Sequence, residues 1–387
     1  MFMEFVLKNK RAEKRIEFPF DEDKYQSICK DLKLTDNHAF VKRVISLKDF
    51  SFLEGKIVDL DEVNYLGKRI NDFDSYETRR FFAAIETGDY LTVQDMINLT
   101  FNLDCYTLVD NISNLRKVGY NQVLSSKGCI GRDELEKMDL EKIGRELLSS
   151  GKGIPTKYGL LFRNEDVAFE TLYKGKGFPA YYYTGDEVLG VEIAKDGEQN
   201  YIYFPCEETE IDRAVQRIGA RDISECRKEI DSTPCCEDLS KDFEILLQRN
   251  DIESIIAISN AVGSEELFSR EICCIEDNSY KLAAVMDYAG VTIDDTEKVI
   301  RLAENLDKFW YYGGIKNDEE LGMELVREAD CFIPSLLDKY VNYAGYARDF
   351  MRENEGKYTK NGGVVYLREG QALSEILGEN DIKMGGI

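Results

Sequence analysis

The side chains of this 387-residue chain that could do chemistry are one histidine, ten cysteines and 74 carboxylates. A histidine pair for general acid–base work is excluded, since the single His38 follows Asp36 and Asn37 and reads as a turn residue. The cysteines include the adjacent pairs Cys235-Cys236 and Cys273-Cys274 but no C-x-x-C and no spaced Cys/His set, so no zinc or other metal is expected. They read as buried small hydrophobes. The glycine-rich pieces GKGIPTK and KGKGFP match neither the P-loop nor the strand-plus-G-x-G-x-x-G pattern. DFDSYET has alternating acids but lacks the glycine that a calcium loop needs at its sixth position. With 74 acids any carboxylate spacing is met by chance, so Asp59 with Asp61, or Glu207 with Glu208, carries no catalytic weight. No nucleophile stands beside a base. The expectation is a protein that is not an enzyme and takes no cofactor.

What so many carboxylates can do is act together. They face 50 basic side chains, giving a net charge of −24 and a sequence pI near 4.6. That balance disfavours direct binding of nucleic acid by the surface as a whole. Because duplex DNA carries one charge per about 1.7 Å, the net charge matches about 40 Å of duplex and the gross acid count about 125 Å. The competing reading is acidity that serves solubility alone. With 43% hydrophobic and 11% aromatic residues the chain builds real cores. Its 22 tyrosines cluster at 181–183, 311–312 and 340–346, which suits either a protein interface or internal packing, and Trp310 in KFWYYGG reads as core. No signal peptide pattern and no apolar run near eighteen residues is present, which predicts a cytoplasmic protein without a membrane partner.

The acids need elements to carry them, and the stretch from Asp59 to Asp104 supplies the clearest. Leu60, Val63, Leu66, Gly67 and Ile70, then Phe81, Phe82 and Ile85, then Val93, Met96, Ile97 and Phe101 fall at helical spacing, which predicts three consecutive amphipathic helices. Their polar faces carry Asp59, Asp61, Glu62, Asp72, Asp74, Glu77 and Glu86 against Lys68, Arg69, Arg79 and Arg80. Ahead of them, FVLKNKRAEKRIEFPF predicts a β-hairpin with the basic tip Lys8, Lys10, Arg11, Lys14 and Arg15. A helix from Asp21 to about Leu32 and a strand HAFVKRVIS follow. Behind them, Ser113 to Arg132 reads as a long connection, Asp133 to Ser149 as a helix, and FPAYYY as an aromatic run ending at Tyr183.

The second half repeats the first in five anchors. Phe18-Pro19 recurs as Phe204-Pro205 before Glu207, Glu208 and Glu210; Asp59-Leu60 as Asp251-Ile252; Ala83-Ala84 as Ala283-Ala284; and Asn102-Leu103-Asp104 as Asn305-Leu306-Asp307. The fifth pairs Gly144-x-Glu146-Leu147 and Ile154-Pro155 with Gly322-x-Glu324-Leu325 and Ile333-Pro334. The pattern DLDEVNYL, FxAAIE and NLD, together with Glu320 to Met351 and its run Tyr340-x-x-Tyr343-x-x-Tyr346-x-Arg348-Asp349, resembles the ArdA antirestriction family. Asn342 and Ala344 depart from it where acids are expected.

The resemblance implies two tandem ArdA-like units in an elongated α+β protein, with small antiparallel sheets, helices and helical layers repeated twice. The first unit is 1–187, divided into a sheet/helix module 1–58, an acidic helical module 59–104 and a sheet/helix module 105–187. The second is 188–387, divided as 188–250, 251–307 and 308–387. It further implies a DNA mimic that occupies the DNA channel of a type I restriction-modification enzyme, at its methyltransferase core and DNA-specificity subunit, acting as a homodimer or as an intramolecular pseudo-dimer. The acids assigned to the mimicking surface are the seven named above in the first unit and Asp294, Asp295, Glu297, Asp318, Glu319, Glu320 and Glu324 in the second. The rival readings are another DNA-binding defence enzyme as target, such as a CRISPR effector, and an acidic adaptor without mimicry.

Overall fold

Alternating apolar and charged residues fold the N-terminus into a hairpin of β1 (Met3–Asn9) and β2 (Ala12–Phe18), turning at Lys10 with φ 52°. The structure is a computed structural model and describes residues 3–128, 130–181, 187–263, 275–329, 333 and 339–379. Helix α1 (Glu22–Leu32) follows, capped by the Asp21 carboxylate, which accepts the Lys24 N–H. With β3 (His38–Val44) and β4 (Ile57–Asp59) the hairpin completes an antiparallel sheet of order β2-β1-β3-β4. Phe5, Leu7, Ile16, Phe18, Val41 and Val44 line its buried face. His38 is the first residue of β3, opposite Asp59, rather than part of a turn.

The three expected helices are α2 (Leu60–Asn71), α3 (Ser75–Glu86) and α4 (Val93–Thr100). Every apolar position named for them is buried except Phe101, which is half-buried. Phe50 joins layer to sheet, with its ring 5.5 Å from Phe82 and 6.4 Å from Phe5. A short 3₁₀ turn at Leu103–Cys105 leads into β5 (Tyr106–Val109).

The connection expected over 113–132 is instead a helix, α5 (Leu115–Lys127). Its packing face is made of small residues, which is why apolar periodicity does not reveal it. A Cβ on Gly119 would lie 1.9 Å from the Leu140 carbonyl oxygen, and one on Gly144 2.1 Å from that of Leu115, so α5 crosses α7 (Leu140–Ser149) backbone against backbone. The helix expected from Asp133 to Ser149 is broken into α6 (Arg132–Leu135) and α7, because the Asp139 carboxylate caps the Lys142 N–H and starts a new helix. Strands β6 (Ile154–Thr156) and β7 (Gly159–Arg163) complete a sheet of order β5-β7-β6.

The second unit runs β8 (Leu189–Lys195), β9 (Glu198–Phe204), α8 (Glu208–Arg217), β10 (Arg227–Ser232), α9 (Glu237–Arg249) and α10 (Ile252–Val262). It continues with α11 (Ile275–Ala289), α12 (Thr296–Glu304), β11 (Phe309–Gly313), α13 (Asp318–Glu328), α14 (Tyr343–Glu353), β12 (Lys357–Thr359), β13 (Gly363–Leu367) and α15 (Leu373–Ile376). Its sheets have orders β10-β8-β9 and β11-β13-β12. The fold is α+β, with small antiparallel sheets among helices.

The chain divides at Lys176/Gly177, not at 187/188. Glu170 and Tyr173 donate their N–H groups to Asn102 and Asn98 of the first unit, whereas Phe178 and Tyr181 donate theirs to Asn200 and the Tyr203 hydroxyl of the second. Tyr182 and Tyr183 lie outside the described residues, as do Cys273, Cys274 and Pro334. Four of the five anchors occupy equivalent places. Asp59 and Asp251 cap α2 and α10, the bonds Phe18-Pro19 and Phe204-Pro205 are both cis, and Ala83 and Ala283 lie in α3 and α11. Asn102 and Asn305 each bond the carbonyl four residues back and open a 3₁₀ turn before a strand. The fifth anchor is wrong: Gly144 is on the second helix of its pair and Gly322 on the first, because any close helix crossing uses a glycine. The true counterparts are Thr156-Lys157 and Thr359-Lys360. Both threonine hydroxyls bond the carbonyl that opens the next strand, and both lysine N–H groups bond a carboxylate, Glu86 or Asp287.

Candidate partner-binding surface

In the first unit the assigned acids are bonded into the fold. Asp59 caps α2 by accepting the Asp61 and Glu62 N–H groups at 2.8 and 3.4 Å. Asp61 accepts from the Asn37 amide at 2.7 Å, and Glu62 from the hydroxyl of the fully buried Tyr173 at 2.7 Å. Asp74 and Glu77 form a capping box at the start of α3. Glu86 receives the Lys157 N–H at 3.2 Å. Asp72 is held above the usual carboxylate range by burial, with Arg69 pulling it back. The bases among these helices are equally engaged. Arg69 lies 4.1 Å from the Phe101 ring, and Arg79 reaches Asp110 at 2.9 Å. Arg80, expected on the exposed face, is buried, bonds the Ser125 hydroxyl at 3.0 Å, and is lowered in pKa chiefly by that burial.

The second-unit acids sit at helix starts, except Glu324, which lies midway along α13. Asp295 caps α12, Asp294 pairs with Arg249, and Glu297 with Arg301 at 2.8 Å. At the start of α13, Asp318 accepts the Tyr358 hydroxyl at 2.8 Å and Glu320 accepts the Lys316 N–H at 2.8 Å, while Glu324 pairs with Arg327. Glu319 is exposed beside them. The pairs in both units are mostly surface pairs, worth about 0–1 kcal/mol each, and they leave the carboxylates within reach of a stronger partner.

The units differ most in how many acids remain after pairing. The first, 1–176, has 30 acidic and 28 basic side chains, a net of −2; the second, 177–387, has 44 and 22, a net of −22. Residues 177–307 alone hold 30 acids and 12 bases. Acids missed by the periodicity argument belong here. Glu207 and Glu210 form a capping box on α8, Glu208 lies in its first turn, and Glu237 and Asp238 open α9. Asp242 on α9 is pushed up to about 6, first by burial and then by Asp238 and Asp294. A count of charge by half-chain would have found this excess.

One aromatic position also departs from expectation. Trp310 is 40% exposed, with Arg368 4.3 Å from its ring and Tyr366 stacked on it at 6.4 Å. In the first unit the same two places hold Thr107 and Asn164, which bond each other at 2.9 Å in the interior. Tyr312 and Tyr343 are buried while Tyr340 and Tyr346 are exposed, so the tyrosine run serves both packing and surface. Cys105, Cys226, Cys235 and Cys236 are buried, and burial raises each thiol pKa. Among the described residues no group of three or more His, Cys, Asp or Glu side chains is placed to hold a metal ion, and no helix is long and apolar enough to cross a membrane. No protein-family model matches the chain, and a search of curated proteins finds no match.

Proposed function

We propose that the chain is a DNA-mimicking inhibitor whose second unit occupies the DNA channel of a DNA-binding enzyme, with a type I restriction-modification enzyme as the target that the ArdA resemblance suggests. The observation that carries this reading is the net charge of −22 on residues 177–387. At one phosphate charge per about 1.7 Å, it equals about 37 Å of duplex, or about eleven base pairs. Carboxylates at the starts of α8, α9, α12 and α13 meet lysines and arginines that otherwise meet phosphates, so association is steered electrostatically and weakens with salt. The first unit, with its charges balanced, holds the fold and contributes little to the field. Self-repulsion is the cost of such a surface, and added salt therefore stabilises the uncomplexed protein while it weakens the complex.

The test is inhibition of a purified type I restriction-modification enzyme, scoring cleavage and methylation together over a salt series with competing duplex. Inhibition relieved by both salt and excess DNA supports competition for the channel. A folded protein that inhibits neither reaction at low salt, with the enzyme in large deficit, overturns this target.

A further inference from the structure

We propose that the outer face of the N-terminal sheet binds a short stretch of single-stranded nucleic acid, laying one unpaired base on Phe40 and Ile57 and holding the flanking phosphates with Lys8 and Lys10. Strand register sets Glu13, Lys8, Phe40 and Ile57 in one row across β2, β1, β3 and β4. Adjacent strands lie about 4.8 Å apart, so the row is about 14 Å long. On this face Phe40 is 39% and Ile57 69% exposed, an aromatic and an aliphatic side chain paired across strands. Beside them runs an open groove of about 470 Å³, lined also by Lys8, Lys10, Asp36 and His38.

The groove carries cations on a chain of the opposite sign. Residues 1–58 have 12 bases and 10 acids, while the whole chain is at −24. Lys8 touches Glu13 only at 4.0 Å, and Lys10 and Arg11 at the hairpin turn make no ion pair among the described residues. Asp36 accepts the His38 backbone N–H at 3.0 Å and stands 3.5 Å from its Nδ1, which places an acceptor and an imidazole together at the rim of the groove. Cations beside an exposed aromatic face are the parts of a sequence-tolerant single-strand site, where stacking on one aromatic is worth about 1–3 kcal/mol per base. A duplex keeps its base faces covered and has nothing to lay on Phe40. An acidic peptide would satisfy the lysines but meet Asp36 with like charge and leave Phe40 and Ile57 bare, whereas a base offers a flat face and an N–H donor, such as thymine N3–H, from which Asp36 can accept. This site is independent of the carboxylates proposed to imitate DNA.

The experiment is fluorescence anisotropy of a fluorescein-labelled oligothymidylate of about fifteen nucleotides titrated with the full chain at low salt. Saturable binding in the tens of micromolar is expected. Phe40→Ala should weaken it about fivefold or more, the loss of about 1 kcal/mol of stacking. A double Lys8→Gln/Lys10→Gln variant should weaken it and flatten its salt dependence, while Lys228→Gln in the second unit leaves it unchanged. These side chains are surface ones, and circular dichroism of each variant confirms the fold. Absence of binding at the highest protein concentration, binding indifferent to Phe40→Ala and to the lysine pair, or equal competition by a duplex or by polyglutamate would each overturn the proposal.

Discussion

The two units share a topology and differ in charge. In their last modules each runs from a strand through a pair of crossing helices to two further strands, with the short α6 added between the helices of the first unit and α15 after the last strand of the second, and the sheet orders β5-β7-β6 and β11-β13-β12 correspond. Yet one unit is at −2 and the other at −22. The shared fold rests on a few positions: the asparagine that opens each 3₁₀ turn, the glycine at each helix crossing, and the threonine-lysine turn tied to a carboxylate. None of these needs the surface to be acidic. The first unit uses its acids to close caps and tie loops; the second carries twice as many acids as bases. Fold and charge are therefore separable, and the difference between the units is where a charge-reading function belongs.

The largest effect should come from what the units share. Gly119 on α5 and Gly322 on α13 each face a backbone carbonyl, that of Leu140 and that of Tyr343, which an added Cβ would meet at 1.9 and 2.1 Å. Neither carbonyl can move without separating the helices. Gly119→Ala and Gly322→Ala should each lose about 3 kcal/mol by urea denaturation, after the small helical gain of alanine. Tolerance of either one would mean that the two crossings are not equivalent and that the repeat is looser than its topology.

The same crossing explains what could be read from the sequence. The helices of 59–104 were legible because Leu60, Val63, Leu66 and their fellows bury large side chains at helical spacing. The N-terminal hairpin was legible from strand alternation, and four repeat anchors from turn and cap residues. Helix α5 was not, since Val118, Gly119 and Ser125 on its buried face carry little apolar signal. Trp310 was misjudged because its partner Arg368 lies far off in sequence, and a side chain held by a cation can remain at the surface. The seven first-unit acids were legible as acids but not as caps; residues 59–104 hold ten acids and four bases, and the bases on either side of that stretch bring the unit close to balance.

Charge removal should split the units. Asp294→Asn, Glu297→Gln, Glu319→Gln and Glu324→Gln together should weaken inhibition of the target about thirtyfold, about 0.5 kcal/mol for each of three exposed carboxylates and the half-buried Glu324, and barely change the melting temperature. Asp61→Asn, Glu62→Gln and Glu86→Gln in the first unit should do the reverse, lowering the melting temperature and leaving inhibition within about twofold. Equal loss of inhibition from both sets would return the first unit to the binding surface.

Crowding of acids in the second unit predicts a pH signature. Asp242 titrates near 6 in the folded state, raised by burial and then by Asp238 and Asp294. An unfolded carboxyl titrates near 3.9, so between those values the folded chain holds a proton that the unfolded chain has lost. Stability therefore falls as pH rises through that window and stays lower above it. A shift of this size is worth at most about 3 kcal/mol, and solvent reaching the half-buried group reduces it to about 1–2 kcal/mol. Asp242→Asn should raise stability by that amount at neutral pH and by nothing below about pH 4. A difference that is flat with pH would assign the effect to packing. Asp72, its first-unit parallel with Arg69 beside it, should show the same trend more weakly.

The smallest effect separates two meanings of one carboxylate. Asp74 accepts the Tyr76 and Glu77 N–H groups at 2.7 Å while Glu77 returns a bond to the Asp74 N–H at 3.0 Å. As a cap, it needs an acceptor oxygen more than a charge, so Asp74→Ala should cost about 1 kcal/mol and Asp74→Asn only a few tenths. As part of a phosphate-like array it would need the charge, and Asn and Ala would weaken inhibition alike while leaving stability nearly untouched. The balance of charge in the first unit favours the cap, with both variants inhibiting as the parent does. Glu319 in the second unit is the matching case, exposed in the first turn of a helix that Asn317 already caps. There Gln and Ala should behave the same, with stability kept and inhibition falling by the few tenths of a kcal/mol of one surface charge.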